Sequence, residues 1–107
     1  MECYDLKSGQ WSRCADMLER RKWFGVGVVG GYLYVVGGDK GKCVFKPNIL
    51  QSVERYDPEK NQWSFVAPLN TKRRMLTVVT DNTTMYAVGG IDKRENWPPA
   101  RLSLIHI

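Results

Sequence analysis

Few side chains in these 107 residues could do chemistry. Three cysteines, Cys3, Cys14 and Cys43, stand at irregular spacing, with no CxxC pair and a single histidine, His106. A metal site needs several such ligands grouped at motif spacing, so no metal is expected. No Ser/His/Asp set, no acid and base carboxylate pair and no phosphate-cradling loop can be assembled. Gly25-Val26-Gly27 lacks the third glycine and the following helix of a dinucleotide site. The sequence predicts no catalytic residue and no cofactor. Cys43 lies among Lys40, Lys42 and Lys46, whose positive field favours a reactive thiolate; the plainer reading is an idle loop thiol. Two basic triplets, Arg20-Arg21-Lys22 and Lys72-Arg73-Arg74, also have two readings. One is a nucleic-acid footprint. The preferred one is a solvated turn in which one arginine ties the loop to neighbouring backbone or to an acid.

These side chains must be positioned by a small domain. Hydrophobic residues make up 43% and charged residues 25%, which excludes disorder of the whole chain. Lys and Arg number 16 against 11 Asp and Glu, a net charge of +5 that does not by itself choose a partner. With no apolar run of about 18 residues and no leader-like start, neither membrane insertion nor secretion is read. Cysteines without a disulfide pattern suggest reduced thiols and a cytoplasmic setting. Ten Gly, four Trp and five Tyr favour turns and large flat side chains, the vocabulary of all-β proteins.

Laid on itself, the chain repeats every 52 residues, the distance from Tyr4 to Tyr56. Glu2-Cys3-Tyr4-Asp5 and Gln10-Trp11-Ser12 return as Glu54-Arg55-Tyr56-Asp57 and Gln62-Trp63-Ser64. Without a gap, Arg21 meets Arg73, Val26 meets Val78, and Tyr34-Val35-Val36-Gly37-Gly38 meets Tyr86-Ala87-Val88-Gly89-Gly90. One period predicts four strands: 24–29, 32–36, about 50–56 and 62–67, with a hairpin over 4–14 repeating the last two. Gly30-Gly31 supplies the positive φ angles of a two-residue turn, and Asp81-Asn82 is expected to do so in the second copy. Residues 32–36 show no polar alternation, which predicts a strand buried on both faces, in a sheet stacked between two others. Four-stranded units that cannot bury both faces alone, repeated at about 50 residues, describe propeller blades.

The ordered set of a Gly doublet, a Tyr-Asp and a Trp seven residues on resembles the kelch repeat. Gly37-Gly38, Tyr56-Asp57-Pro58 and Trp63 make one complete unit, flanked by Tyr4-Asp5 and Trp11 before it and Gly89-Gly90 after it. The resemblance covers residues 2–92 and implies an all-β, partial kelch propeller: a full four-stranded blade (20–67) between two half blades (1–19 and 68–92). Residues 93–107 are read either as a truncated third strand, with 102–107 equivalent to 50–55, or as foreign sequence beginning near Trp97-Pro98-Pro99. Met1 falls where Val53 falls in the second copy, inside a strand, so a start within a longer protein is expected. Tyr4, Trp11, Tyr56 and Trp63 would wedge between blades, each aromatic contributing about 2–3 kcal/mol of burial. Uncovered blade faces then predict weak folding or self-association of the chain alone.

The resemblance also implies where recognition occurs, at the mouth formed by loops leaving the doublets and by residues entering the first strands. The site residues it implies are Trp23, Asp39, Lys40, Lys42, Phe45, Met75 and Ile91. Trp23 and Met75 replace the polar residues of relatives that bind acidic peptides, which points to an apolar or mixed target. The competing reading has Trp23 packing between blades. By resemblance to Kelch-like adaptors, the partner is a protein substrate and the parent binds a cullin-based ubiquitin ligase. The BTB and BACK segments that would dock it are absent from these residues. Actin binding is the alternative, a copper oxidase the enzyme possibility set aside for want of ligands, and neither nucleic acid nor membrane is expected.

Overall fold

β-Branched and aromatic runs broken by glycine and Asx turns favour strands over helices, and the described residues of the computed structural model form strands, turns and loops with no helix among them. It describes residues 1–43, 45–91 and 103–106, the last four as backbone. Among them are β1 (Glu2–Asp5), β2 (Gln10–Arg13), β3 (Gly25–Val29), β4 (Tyr32–Val36), β5 (Val53–Asp57), β6 (Gln62–Val66), β7 (Thr77–Thr80), β8 (Thr84–Val88) and β9 (Ser103–His106). They form three antiparallel sheets, β1-β2, β3-β4-β5-β6 and β7-β8-β9. The third expected strand starts later than the sequence suggests. Leu50 N donates instead to Gly38 O at 2.8 Å and Gln51 O accepts from Leu69 N at 2.8 Å, so these residues brace loops before β5 begins.

Strand β4 is covered from both sides, as its composition predicts. Tyr34 and Val36 join Val53, Leu69, Leu76, Met85 and Ala87 in a core shared with the third sheet. Val35 joins Tyr56 and Trp63, against which Cys14, Ala15, Met17 and Phe24 pack. Glycines on β3 let the second and third sheets approach. A Cβ on Gly25 would strike Val78 Cγ2, and one on Gly27 would lie 2.8 Å from Thr80 Cγ2.

The aromatic wedge differs between its two copies. Trp63 and Tyr56 are 5% and 6% exposed, whereas Trp11 and Tyr4 are 67% and 46% exposed. Ring geometry is nearly the same, with centroids 5.1 Å apart in both pairs. What differs is the cover. Trp63 Nε1 donates to Ala15 O at 2.9 Å, and Asn61 Oδ1 accepts from Ala15 N at 2.8 Å and from the Tyr56 hydroxyl at 2.7 Å. The segment after the first sheet is thereby clasped onto the second.

Three sequence expectations are corrected. At the repeat offset the turn matching Gly30-Gly31 (φ +60° and +81°) is Asn82-Thr83 rather than Asp81-Asn82, and neither Asp81 nor Asn82 takes a positive φ. The Asp81 carboxylate holds that turn by accepting from the amides of Thr83 (3.0 Å) and Thr84 (2.8 Å). Cys3 and Cys14 are not reduced thiols but a disulfide, their Cα atoms 6.4 Å apart across the first hairpin; Cys43 is free and exposed. Finally, β9 pairs with β8 in a register three residues from the repeat offset. Ile105 faces Met85, and thus takes the backbone position of Tyr56, which faces Leu33. Residues 92–102, with Trp97-Pro98-Pro99, lie outside the described residues.

Candidate functional site

The glycine doublets build the site from below. Gly37 and Gly38 take φ +63° and +102°, and a Cβ on Gly37 would sit 2.6 Å from Arg73 O. Gly38 N donates to that carbonyl at 2.7 Å, drawing the loop after β4 against the entry to β7. Lys22 and Asp39 then exchange two backbone bonds (3.0 and 2.9 Å), and Arg74 and Ile91 do the same one unit later (3.0 and 2.9 Å). Met75 N donates to Trp23 O at 2.7 Å and joins the two units. Trp23, Asp39, Met75 and Ile91 are therefore brought together.

Trp23 and Met75, equivalent by the 52-residue offset, both occupy the left-handed region, at φ +55° and +56°. Bulky side chains rarely adopt it, and each such position costs on the order of 1 kcal/mol or more. Both side chains are exposed, at 39% and 50%, and Trp23 belongs to neither hydrophobic cluster among the described residues. Its indole carries Lys22 Nζ at 4.6 Å and the Arg74 guanidinium at 5.2 Å from the ring centroid.

Asp39 faces inward. It is 1% exposed; Oδ1 accepts from the amides of Gly41 (2.7 Å) and Asn48 (2.9 Å), and Oδ2 pairs with Arg74 NH1 at 2.9 Å. Burial pushes this carboxyl up, but the Asn48 and Gly41 amides and the Arg74 guanidinium outweigh it and hold it below its usual range. Its place is to shape the 39–49 loop. Lys40 extends from that loop to Glu19 Oε2 at 3.2 Å. Burial also raises Glu19, and Lys40, Ser52 and Arg21 together bring it below its usual range. Lys42 and Phe45 point to solvent, Phe45 at 77% exposure on the turn where Lys46 N donates to Cys43 O at 3.1 Å.

The basic triplets serve the frame. Arg21 is buried, donating to Glu54 Oε2 (2.7 and 3.0 Å) and to the carbonyls of Gly37 and Ser52 (2.9 Å each). Arg73 repeats the doublet contact, donating to Gly89 O at 2.7 Å. Glu54, 0% exposed, also accepts from the amides of Leu18 (2.6 Å) and Glu19 (3.1 Å). Sequence reasoning anticipated an arginine tie to an acid but did not pick out Glu54 as that acid, and it left Arg20 and Lys46 out of the site. Glu54 looks like one more polar position in a strand until β5 is known to be covered on both sides.

Two cavities open beside the loop. One of about 350 Å³ is lined by Arg20, Lys22, Asp39, Lys40 and Lys42 among others. Another, of about 410 Å³, adjoins it and adds Lys46 and Asn48. Among the described residues no group of three or more His, Cys, Asp or Glu could hold a metal.

Comparison with known proteins fits this geometry. The Kelch motif matches residues 20–70. Kelch-like protein 13 of Homo sapiens is 37% identical over 90 residues, 84% of this chain. The chain belongs to the kelch-repeat family. Kelch-like protein 9 of Mus musculus is 36% identical over 90 residues, and Kelch-like protein 23 of Homo sapiens 40% over 73. This kelch segment spans 14%, 15% and 12% of the lengths of those three relatives. In fold it is like the solved structure of YjhT, with a TM-score of 0.68 over 78% of this chain and 25% of that one, at 23% identity. A four-stranded sheet flanked by two others is thus a piece of kelch propeller, a protein-interaction architecture.

Proposed function

We propose that this kelch segment forms part of the substrate-recognition mouth of a cytoplasmic Kelch-like adaptor for a cullin-based ubiquitin ligase. The observation that carries the reading is the pair Trp23 and Met75. Two successive units hold equivalent large side chains exposed, in a backbone conformation that costs stability, at the loops beside the Gly doublets. Large apolar groups held outward on a rigid frame suit a binding hot spot, Trp as a stiff anchor and Met as an adaptable one. Lys40, Lys42, Phe45 and Ile91 complete the surface, and Asp39 supports it from beneath. Chemistry is left to other parts of the assembly.

The test uses the whole parent protein. Proteins labelled by proximity to it are compared with those labelled by its Trp23→Ala variant, with and without an inhibitor of cullin activation. Partners that disappear with the variant and accumulate with the inhibitor support the adaptor reading. An unchanged set, insensitive to both, refutes it, and co-sedimentation of the parent with actin filaments would replace it with a cytoskeletal role.

A further inference from the structure

By the 52-residue offset Arg74 is the counterpart of Lys22, and Ile91 that of Asp39. The second unit therefore has no acid directly after its Gly doublet, and Arg74 reaches back to the acid of the first. Its NH1 pairs with Asp39 Oδ2 at 2.9 Å, and both side chains are buried although they come from successive units. The acid is held in place from its other oxygen, since Oδ1 accepts from the amides of Gly41 and Asn48. The same guanidinium carries the Trp23 ring, with Cζ 5.2 Å from the ring centroid. Among the described residues Arg74 Nε is buried without a hydrogen-bond partner, which leaves the carboxylate and the indole as the groups that hold this side chain.

The indole has little else to fix it, being exposed and outside both hydrophobic clusters among the described residues. Lys22 Nζ lies nearer the ring, at 4.6 Å, but it forms no ion pair among the described residues. It is a point charge on a flexible stem, whereas Arg74 presents a planar fork locked to a buried acid. Resting on the reading of Trp23 as a recognition anchor, we infer that Arg74 is its positioning residue: Asp39 locks the guanidinium, and the guanidinium sets the direction of the exposed indole across the join between two units. Arg74 is buried and acts through the indole instead of meeting a partner itself. Recognition at Trp23 then depends on the 39–49 loop of one unit and on the entry to β7 in the next. A change at Asp39 is felt at the indole without touching whatever binds there.

The test places fluorotryptophan in the whole parent protein and follows the fluorine resonance of Trp23, identified by its absence from Trp23→Phe, beside that of Trp63, identified by Trp63→Phe. Arg74→Lys keeps a charge opposite Asp39 and loses the planar face; Asp39→Asn keeps an acceptor and loses the charge that locks the fork. Each is expected to shift or broaden the Trp23 line and leave the Trp63 line in place, and the double variant should do no more than either alone. Proximity labelling of the partners that Trp23→Ala abolishes should fall roughly fivefold or more in Arg74→Lys. An unmoved Trp23 line, additive shifts, undiminished labelling of those partners, or Trp23 and Trp63 lines that move together would overturn the inference, the last by revealing a general loosening. Should the variants fail to fold, the unmodified protein decides: Overhauser contacts between the Trp23 ring and the Arg74 side chain support the assignment, and their absence overturns it. If the Trp23 line responds while Trp23→Ala keeps every partner, the positioning stands and the recognition reading falls. If Trp23→Ala removes partners while the line ignores Arg74→Lys, only the positioning falls.

Discussion

Trp63 and Trp11 are the same motif residue, 52 positions apart, yet they answer differently to truncation. Trp63 is 5% exposed, packs on Tyr56 and holds Ala15 O through its indole N–H. Trp63→Ala removes most of a large buried side chain and a hydrogen bond, a loss of about 3–5 kcal/mol. In the whole parent, where neighbouring blades cover this segment, a loss of that size is enough to unlock the first sheet from the second. Trp11 already exposes 67% of its surface, so Trp11→Ala loses only what its remaining contact with Tyr4 supplies, about 1 kcal/mol or less. Urea unfolding followed by far-ultraviolet circular dichroism measures both, with Trp63→Phe as a milder variant that keeps an aromatic ring and lacks the N–H donor. Equal costs for the two alanine variants, or a larger one at Trp11, would refute the clasp between Ala15 and Trp63 as the fastening of the two sheets.

Glu54→Gln should cost about 3 kcal/mol in the same assay, because it leaves the Arg21 guanidinium buried without its counter-charge. A double replacement of Glu54 and Arg21 by methionine should recover much of that, and a cost below about 0.5 kcal/mol for Glu54→Gln would contradict the buried pair. Asp39 sets an acid limit. Its folded-state pKa is depressed, so its contribution is present above the unfolded value of about 3.9 and is lost as pH falls through the folded value. Asp39→Asn should therefore lower the melting temperature at neutral pH and converge with the unmodified chain in strong acid; a constant difference at all pH values would contradict this. Iodoacetamide applied without reductant, followed by mass measurement, should modify Cys43 alone, and all three cysteines after reduction. Labelling of all three before reduction would exclude the disulfide.

What the sequence revealed about this fold is what repeats. The strands, the Gly-Gly turn and the Tyr56–Trp63 wedge were readable because two copies share one spacing and because residues 32–36 offer no polar face to water, whereas the equivalent Tyr4 and Trp11 are exposed and do not wedge as expected. What escaped depends on contacts between distant segments. The Cys3–Cys14 bond links two residues flanking a hairpin turn at a separation of 11, a spacing that matches no sequence motif. Asp39 reads as a surface loop acid until its two amide donors and Arg74 are seen around it. The expected left-handed Asp81-Asn82 turn gave way to a carboxylate that accepts two backbone amides, an alternative that aspartate offers and glycine does not. Positive φ at Trp23 and Met75 had no signal at all, since side-chain type argues against it.

That last feature gives the most direct measurement. If Trp23 and Met75 are held outward for recognition and not for packing, Trp23→Gly with Met75→Gly in the whole parent should relieve backbone strain. The melting temperature should then stay level or rise by the equivalent of about 1 kcal/mol per site, while proximity labelling of the parent's partners falls to background. A melting temperature that drops sharply, with partner labelling intact wherever the fold survives, would show these side chains to be part of the core and would contradict the account.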